Sequence, residues 1–72
     1  MTQTERIEKY MQDFGSITAL EAMRDLGIMR LSARIWDLKH EGRRITARIE
    51  KSRNRYGEPV HFYRYSFEKE DK

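Results

Sequence analysis

The sequence predicts an α+β domain in which three helices are followed by a two-stranded antiparallel β-hairpin. The first observation is hydrophobic periodicity: apolar residues recur about every 3.6 positions before Gly42 and every second position after it. The second is that Gly15, Gly27 and Gly42 each follow a helical pattern, where helices commonly end. The third is the stretch SRNRYGEP, whose Asn, Gly and Pro residues are typical of a turn between strands.

The first two helices are predicted by capping boxes and apolar stripes. Thr2 is followed three residues later by Glu5, and Thr18 is followed in the same way by Glu21. Each box precedes apolar residues at helical spacing. These residues are Ile7, Tyr10, Met11 and Phe14 in the first helix, and Ala19, Ala22, Met23 and Leu26 in the second. Residues 16–17 are expected to form a short extended link between the two helices.

The third helix is expected from about residue 29 to residue 41. Its apolar stripe is formed by Leu31, Ile35 and Leu38. Because this stripe must be buried, the opposite face is left for solvent or a partner. That face carries Met29, Ala33, Trp36, Asp37 and His40.

The hairpin is predicted from two runs in which every second residue is apolar or aromatic. The first run predicts a half-buried strand with Ile45, Ala47 and Ile49 on its apolar face. The second run, VHFYRYSF, places Tyr63, Tyr65 and Phe67 on one face. Residues 68–72 (EKEDK) have no period and are expected to form a frayed tail, so we assign the single domain to residues 1–67.

Charge is unevenly distributed along the chain. The net charge is +3, but residues 29–57 contain nine Lys or Arg against three Asp or Glu, whereas residues 1–28 contain three against five. A basic middle segment between acidic ends favours a polyanionic partner, and nucleic acid is the obvious one. The alternative is that Lys and Arg simply keep an exposed hairpin soluble.

Composition argues against several classes of function. The chain has no cysteine and only two histidines, so we expect no disulfide, no metal site and no cofactor. No apolar run approaches the roughly 20 residues of a membrane span, and we expect a cytoplasmic protein that does not bind membranes. No catalytic triad, glycine-rich phosphate loop or carboxylate cluster is present in the sequence, so we expect neither an enzyme nor a small-molecule substrate.

The order of elements is that of a winged helix-turn-helix. The stretch TALEAMRDLGIMRLSARIWDLKHEGRRI, followed by a basic hairpin and an aromatic strand, resembles the small winged helix-turn-helix domains of bacteriophage and prophage proteins. In those domains the third helix often reads RLSARI, then two variable residues, a leucine and a glycine stop. The resemblance covers roughly residues 4–67. It implies binding of double-stranded DNA, in the host bacterial cytoplasm if the chain is phage-encoded.

In such a fold the third helix reads the major groove, and its N-terminal residues reach the base edges first. We therefore predict DNA contacts from Arg30, Ser32, Ala33 and Arg34. An arginine can bind guanine through two hydrogen bonds, and a small residue can meet a thymine methyl or let the backbone approach. The alternative is that both arginines are solvated, with Arg34 paired to Asp37.

The hairpin is the wing of such a fold, and its basic part, residues 51–56, is expected to contact the neighbouring DNA backbone or the minor groove. The cations predicted to neutralise phosphates there are Lys51, Arg53 and Arg55, and Asn54 is predicted to read a groove. Arg43, Arg44 and Arg48 are expected to extend this positive surface. Because one small module covers a short site, selective binding would need a homodimer on DNA.

Trp36 leaves a second function open. Its ring is expected to point outward, where it could pack under the hairpin, stack on sugar and phosphate, or contact a second copy. A transcriptional regulator or architectural factor of phage or prophage origin is the first hypothesis. A protein-interaction module that uses Trp36 and the aromatic strand is the alternative, because a fold does not determine a function.

Overall fold

The computed structural model describes residues 1–68, and its elements follow the predicted order. The helices are α1, Gln3–Phe14; α2, Ala19–Glu21, which continues directly as a π-helical turn, Ala22–Leu26; and α3, Leu31–His40. The strands are β1, Ile17–Thr18; β2, Ile45–Arg53; and β3, Pro59–Phe67. The predicted fold class, an α+β domain of three helices and a hairpin, is confirmed. Most of the predicted tail, residues 69–72, lies outside the described residues.

Both predicted capping boxes are present. At the start of α1 the Thr2 hydroxyl accepts from the Glu5 N–H at 3.2 Å, and the Glu5 carboxylate accepts from the Thr2 N–H at 2.9 Å. Thr18 and Glu21 make the same pair of bonds at 3.2 and 3.1 Å before α2. The bonds from Thr2 hold the pKa of Glu5 below its ordinary value. These reciprocal bonds satisfy backbone donors that a helix start would otherwise leave free.

The sheet has three antiparallel strands in the order β1-β3-β2, one more than predicted. Residues 16–17 were expected to form only a link, but Ile17 pairs with Tyr65 and Thr18 with Arg64. This pairing gives hydrogen-bond partners to the backbone of a buried segment. Buried N–H and C=O groups without partners would cost free energy. Strands β2 and β3 pair along their whole length, from Ile45 opposite Phe67 to Arg53 opposite Pro59.

The core lies between the helices and the base of the sheet. Its buried apolar residues are Ile7, Met11, Ile17, Ala22, Ile28, Leu31, Ile35, Leu38 and Ile45. The stripe predicted for the third helix is therefore confirmed. In the first two helices, Phe14 and Met23 instead remain exposed, at 70% and 44%, and Ala19 is exposed as well.

The distal part of the hairpin extends beyond this core. Ile49 is 56% exposed and Tyr63 is 48% exposed, and Ala47 is exposed as well. The prediction of a half-buried strand is therefore wrong for Ala47 and Ile49, because only the base of the sheet is covered by the helices. The outer half forms a projecting wing with apolar side chains on one face.

Arg64 connects the wing to the helices. Its Nε donates to Glu50 Oε1 on β2 at 2.9 Å, and its Nη1 lies 3.3 Å from both Glu21 carboxylate oxygens and 3.1 Å from the Ser16 hydroxyl. The side chain is only 22% exposed. Hydrogen bonding to Glu50 raises the pKa of Arg64 despite this burial. One guanidinium thus joins β2, β3 and α2.

A second polar cluster joins the first two helices. Tyr10 Oη donates to Asp25 Oδ2 at 2.6 Å, and Arg24 Nε donates to Asp25 Oδ1 at 2.9 Å. These bonds, chiefly the one from Arg24, lower the pKa of Asp25 to about 2. The bond to Asp25 raises the pKa of Tyr10. The carboxylate is therefore charged over the whole neutral range and holds α1 against the end of α2.

Candidate nucleic-acid interface

The third helix begins at Leu31, two residues later than predicted, because Arg30 has a non-helical backbone (φ −120°, ψ 65°) and occupies the N-cap position. Arg30 and Ser32 are exposed, and Met29 before them is 75% exposed. Within residues 1–68 Arg30 makes no ion pair. The start of α3 therefore presents a free guanidinium and a small hydroxyl to solvent.

Further along α3, the next two predicted contact residues are less accessible. Ala33 and Arg34 are half-buried. Arg34 Nε lies 3.2 Å from Asp37 Oδ2, although its N–H is not aimed well enough at the carboxylate for a hydrogen bond. The pairing considered as an alternative for Arg34 is thus present, and part of its charge is neutralised within the helix.

Trp36 lies on the exposed side of α3 and is not packed under the hairpin. Its indole is 60% exposed and stacks on the imidazole of His40 one turn later, with ring centroids 3.7 Å apart and planes inclined by 45°. Of the three arrangements considered, packing beneath the wing is therefore wrong. The Trp36–His40 pair remains available to a partner.

The two arginines that follow α3 differ in their surroundings. Arg43 Nε lies 3.0 Å from Glu8 Oε2 on α1, so its charge is matched by an acid. Arg44 is exposed, and its carbonyl accepts the Glu68 N–H at 3.0 Å. Arg44 is the freer of the two predicted cations.

The tip of the wing is organised by Asn54. Its Oδ1 accepts from the N–H groups of Tyr56 and Glu58 at 2.9 and 3.0 Å, and its Nδ2 donates to Glu58 Oε1 at 3.0 Å. Gly57 completes the turn in the left-handed region, at φ 77°. Most of the hydrogen-bonding capacity of Asn54 is used within the turn, so the structure gives it a turn-forming role, and groove reading by Asn54 stays a prediction.

The cations of the wing are exposed and have few acidic partners. Arg53 donates from Nη1 to the Gly57 carbonyl at 2.7 Å, which positions its side chain beside the turn. Lys51 and Arg55 are exposed and make no ion pair within the described residues. Arg48, which is 73% exposed, lies 3.6 Å from Glu50. Free positive charge is therefore concentrated at the distal end of the hairpin.

Comparison with known proteins identifies the family. A profile of the winged helix-turn-helix domain matches residues 2–70, nearly the whole chain. The chain belongs to this family. No curated protein and no solved structure matches it at the significance required.

In this winged helix-turn-helix domain, α2 and α3 are the helix-turn-helix, and β2 with β3 is the wing. Domains of this kind are typical of DNA-binding proteins, in which the second helix of the motif enters the major groove. Among residues 1–68 no group of three or more His, Cys, Asp or Glu side chains could hold a metal ion. None of the helices in this part of the chain has the length and apolar character needed to span a membrane.

Proposed function

We propose that this domain binds double-stranded DNA, with α3 in the major groove and the wing against the adjacent backbone. The observation that carries the proposal is the location of unpaired cations. Arg30 at the start of α3, and Lys51 and Arg55 on the wing, have no acidic partner within the described residues. Cations that fold without partners are typical of a surface that neutralises phosphates.

The roles within this proposal differ among the predicted residues. Arg30 and Ser32 would reach base edges, with Ala33 beside them, while Lys51, Arg53 and Arg55 would contact phosphates. Arg44 would extend the positive surface. Arg34 and Arg43 would contribute less, since each has an acidic neighbour at 3.2 and 3.0 Å.

The salt dependence of binding tests this proposal. Fluorescence anisotropy with a labelled duplex should give a linear decrease of log K with log salt concentration. The slope should become shallower by about 2 in the double variant Lys51→Ala/Arg55→Ala, because each lost phosphate contact removes about 0.9. The control is Arg6→Ala/Lys9→Ala on α1, which removes the same formal charge from an element outside α3 and the wing.

If the two double variants lower affinity and slope equally, binding depends only on net charge and the proposed interface is wrong. If the wild-type domain does not bind duplex DNA even at low salt, the proposed function itself is wrong. If the domain does bind duplex DNA, selection from random duplexes distinguishes a transcriptional regulator from an architectural factor. Enrichment of a motif that Arg30→Ala blurs supports a transcriptional regulator, whereas binding without a motif supports an architectural factor.

We extend the proposal to the biological setting suggested by the sequence. The domain would act as a phage or prophage regulator or architectural factor in the bacterial cytoplasm, as a homodimer on DNA where selective binding requires two copies. No catalytic role is proposed. Titration of a duplex that carries two sites tests dimer formation, because two copies that contact each other would bind it cooperatively.

A protein-interaction role is the second candidate, and the exposure of Trp36 favours it. An indole that is 60% exposed on the outer side of a helix is a common anchor of protein interfaces. Trp36→Ala should abolish partner binding under this alternative, and Lys51→Ala/Arg55→Ala should not. DNA binding predicts the reverse, namely that Lys51→Ala/Arg55→Ala strongly lowers the affinity for DNA.

A further inference from the structure

A groove lies between the start of α3 and the aromatic strand, and it is lined in part by Arg30 and Ser32, which are proposed above to contact DNA. Its volume is about 370 Å³, within the range of about 300–1,000 Å³ typical of ligand sites. One wall is the segment that leads into α3, and the other is β3. The side chains that shape it are Met29, Arg30, Ser32, Phe62, Tyr63 and Tyr65.

The β3 wall is a row of aromatic rings. The ring centroids of Tyr63 and Tyr65 are 6.4 Å apart, with planes inclined by 31°, and those of His61 and Tyr63 are 6.5 Å apart. Tyr65 is half-buried and packs on the core, whereas Tyr63 is 48% exposed. Tyr63 therefore offers a ring, held by its neighbours, to a planar partner.

A cation together with aromatic rings, and no acid, distinguishes this groove from the others described, because the neighbouring groove beside Gly27 is lined by Arg30 and Arg34 but by no aromatic residue. Arg30 is its charged lining residue, and none of its lining residues is acidic. The groove beside α1 contains Asp13 and Asp25, and the groove between α2 and β3 contains Glu21. A cation combined with exposed aromatic rings suits a ligand that has both a flat ring and a negative charge, which is the chemistry of a nucleotide.

We infer that this groove takes an unpaired nucleotide of DNA, with its base stacked on Tyr63 and its phosphate beside Arg30. The inference rests on the proposed function, since it specifies the form of DNA bound by the same face. A base within a duplex is stacked on both sides and cannot offer its ring to a tyrosine, whereas an unpaired or extruded base can. The domain should therefore prefer duplexes that contain an unpaired nucleotide over fully paired ones.

Paired binding titrations test this inference. The probes are a fully paired duplex and the same duplex with one additional unpaired 2-aminopurine, measured at equal salt concentration. We expect tighter binding to the second probe, with quenching of its fluorescence as the base stacks. Tyr63→Ala should weaken binding to that probe by about 5- to 150-fold, the range reported by alanine substitution at stacking residues, and should change binding to the paired duplex little.

Two variants serve as controls. Tyr63→Phe keeps the ring and should keep the preference. Val60→Ala removes an apolar side chain that is 39% exposed on the same strand and, by strand alternation, on the opposite face, and should behave as wild type. Circular dichroism of Tyr63→Ala establishes that any loss is not caused by unfolding. If the alanine variant unfolds, the comparison of the two probes with the wild-type domain still tests the inference.

Equal affinity of the wild-type domain for the two probes would overturn the inference and leave duplex binding intact. A preference that survives in Tyr63→Ala without loss of fluorescence quenching would also overturn it, because the base would then stack elsewhere. Absence of binding to both probes would overturn the proposed function and the inference together.

Discussion

Replacing Arg64 should destabilise the domain far more than replacing any other arginine of the wing. Arg64→Ala removes contacts to Glu50, Glu21 and Ser16. It leaves Glu21, 23% exposed, without a cation among the described residues, and Glu50, 30% exposed, with only Arg48 at 3.6 Å. A net hydrogen bond to a charged group contributes about 1.5–3 kcal/mol, and breaking a fully buried ion pair costs about 3–5 kcal/mol. Because these groups are partly solvated, we expect a loss of about 2–3 kcal/mol in the free energy of unfolding.

The assay is thermal and urea unfolding followed by circular dichroism at neutral pH. For a domain of this size, about 1 kcal/mol corresponds to a change of about 4–8 °C in Tm, so Arg64→Ala should lower Tm by about 10–20 °C. Arg48→Ala is the matched control, because Arg48 lies directly opposite Arg64 in the ladder but is 73% exposed. Its loss should change stability by less than about 0.5 kcal/mol.

Arg64→Lys separates charge from geometry. Lysine keeps the positive charge but cannot donate in two directions from one planar group, so its stability should fall between those of wild type and Arg64→Ala. The reasoning is refuted if Arg64→Ala and Arg48→Ala are equally stable. It is also refuted if Arg64→Lys is as stable as wild type, since the joining of three elements by one guanidinium would then be irrelevant.

Two further predictions concern the helices. The pKa of Asp25 is lowered from 3.8 to about 2 in the folded domain, so this carboxylate stabilises the fold above about pH 4 and its contribution disappears as the pH falls toward 2. Between about pH 4 and pH 2, Asp25→Asn should therefore lose less stability than the wild-type domain, as measured by urea unfolding at each pH. If the difference between the two proteins instead changed at pH 5–7, the assignment to Asp25 would be wrong. Thr18→Ala removes the capping bond to the Glu21 N–H from a residue that is 4% exposed, and should cost about 1 kcal/mol in urea unfolding. Thr4→Ala should cost less, because it removes only a hydroxyl contact to the capping residue Thr2 at 3.1 Å and no bond to the helix backbone.

The parts of the fold predicted correctly depend on signals close together in the sequence. Each capping box spans four residues, and the stripe of Leu31, Ile35 and Leu38 lies within one helix. The stretch SRNRYGEP contains its own turn residues. Local signals of this kind need no knowledge of the rest of the molecule.

The parts that were missed depend on distant partners. Strand β1 has two residues and exists only because β3 supplies its hydrogen bonds. The contacts of Arg64 reach residues 14, 43 and 48 positions away. Whether Ala47 and Ile49 are buried depends on how much of the sheet the helices cover. The alternation of apolar and polar residues along a strand gives no information about this. An alternating strand looks the same in sequence whether or not something covers it.

The candidate site was predicted in outline, and the structure refines which residues are free to act. Charge counting finds the basic wing, but it cannot distinguish Arg43, which is paired with Glu8, from Lys51, which has no acidic partner among residues 1–68. Asn54 was assigned to DNA because it lies among cations, although an Asn before a Gly in a turn is also a sign of a structural role. Contact with DNA remains a prediction for every residue of the site.

Mapping the bound DNA on the protein tests the central claim most directly. Amide signals of the isotope-labelled domain would be followed by NMR during titration with a short duplex at low salt. We predict that the largest changes occur at residues 30–32 at the start of α3 and at residues 51–55 on the wing. Changes confined to α1, or the absence of changes at stoichiometric DNA, would contradict the claim that these two elements together form a DNA-binding surface.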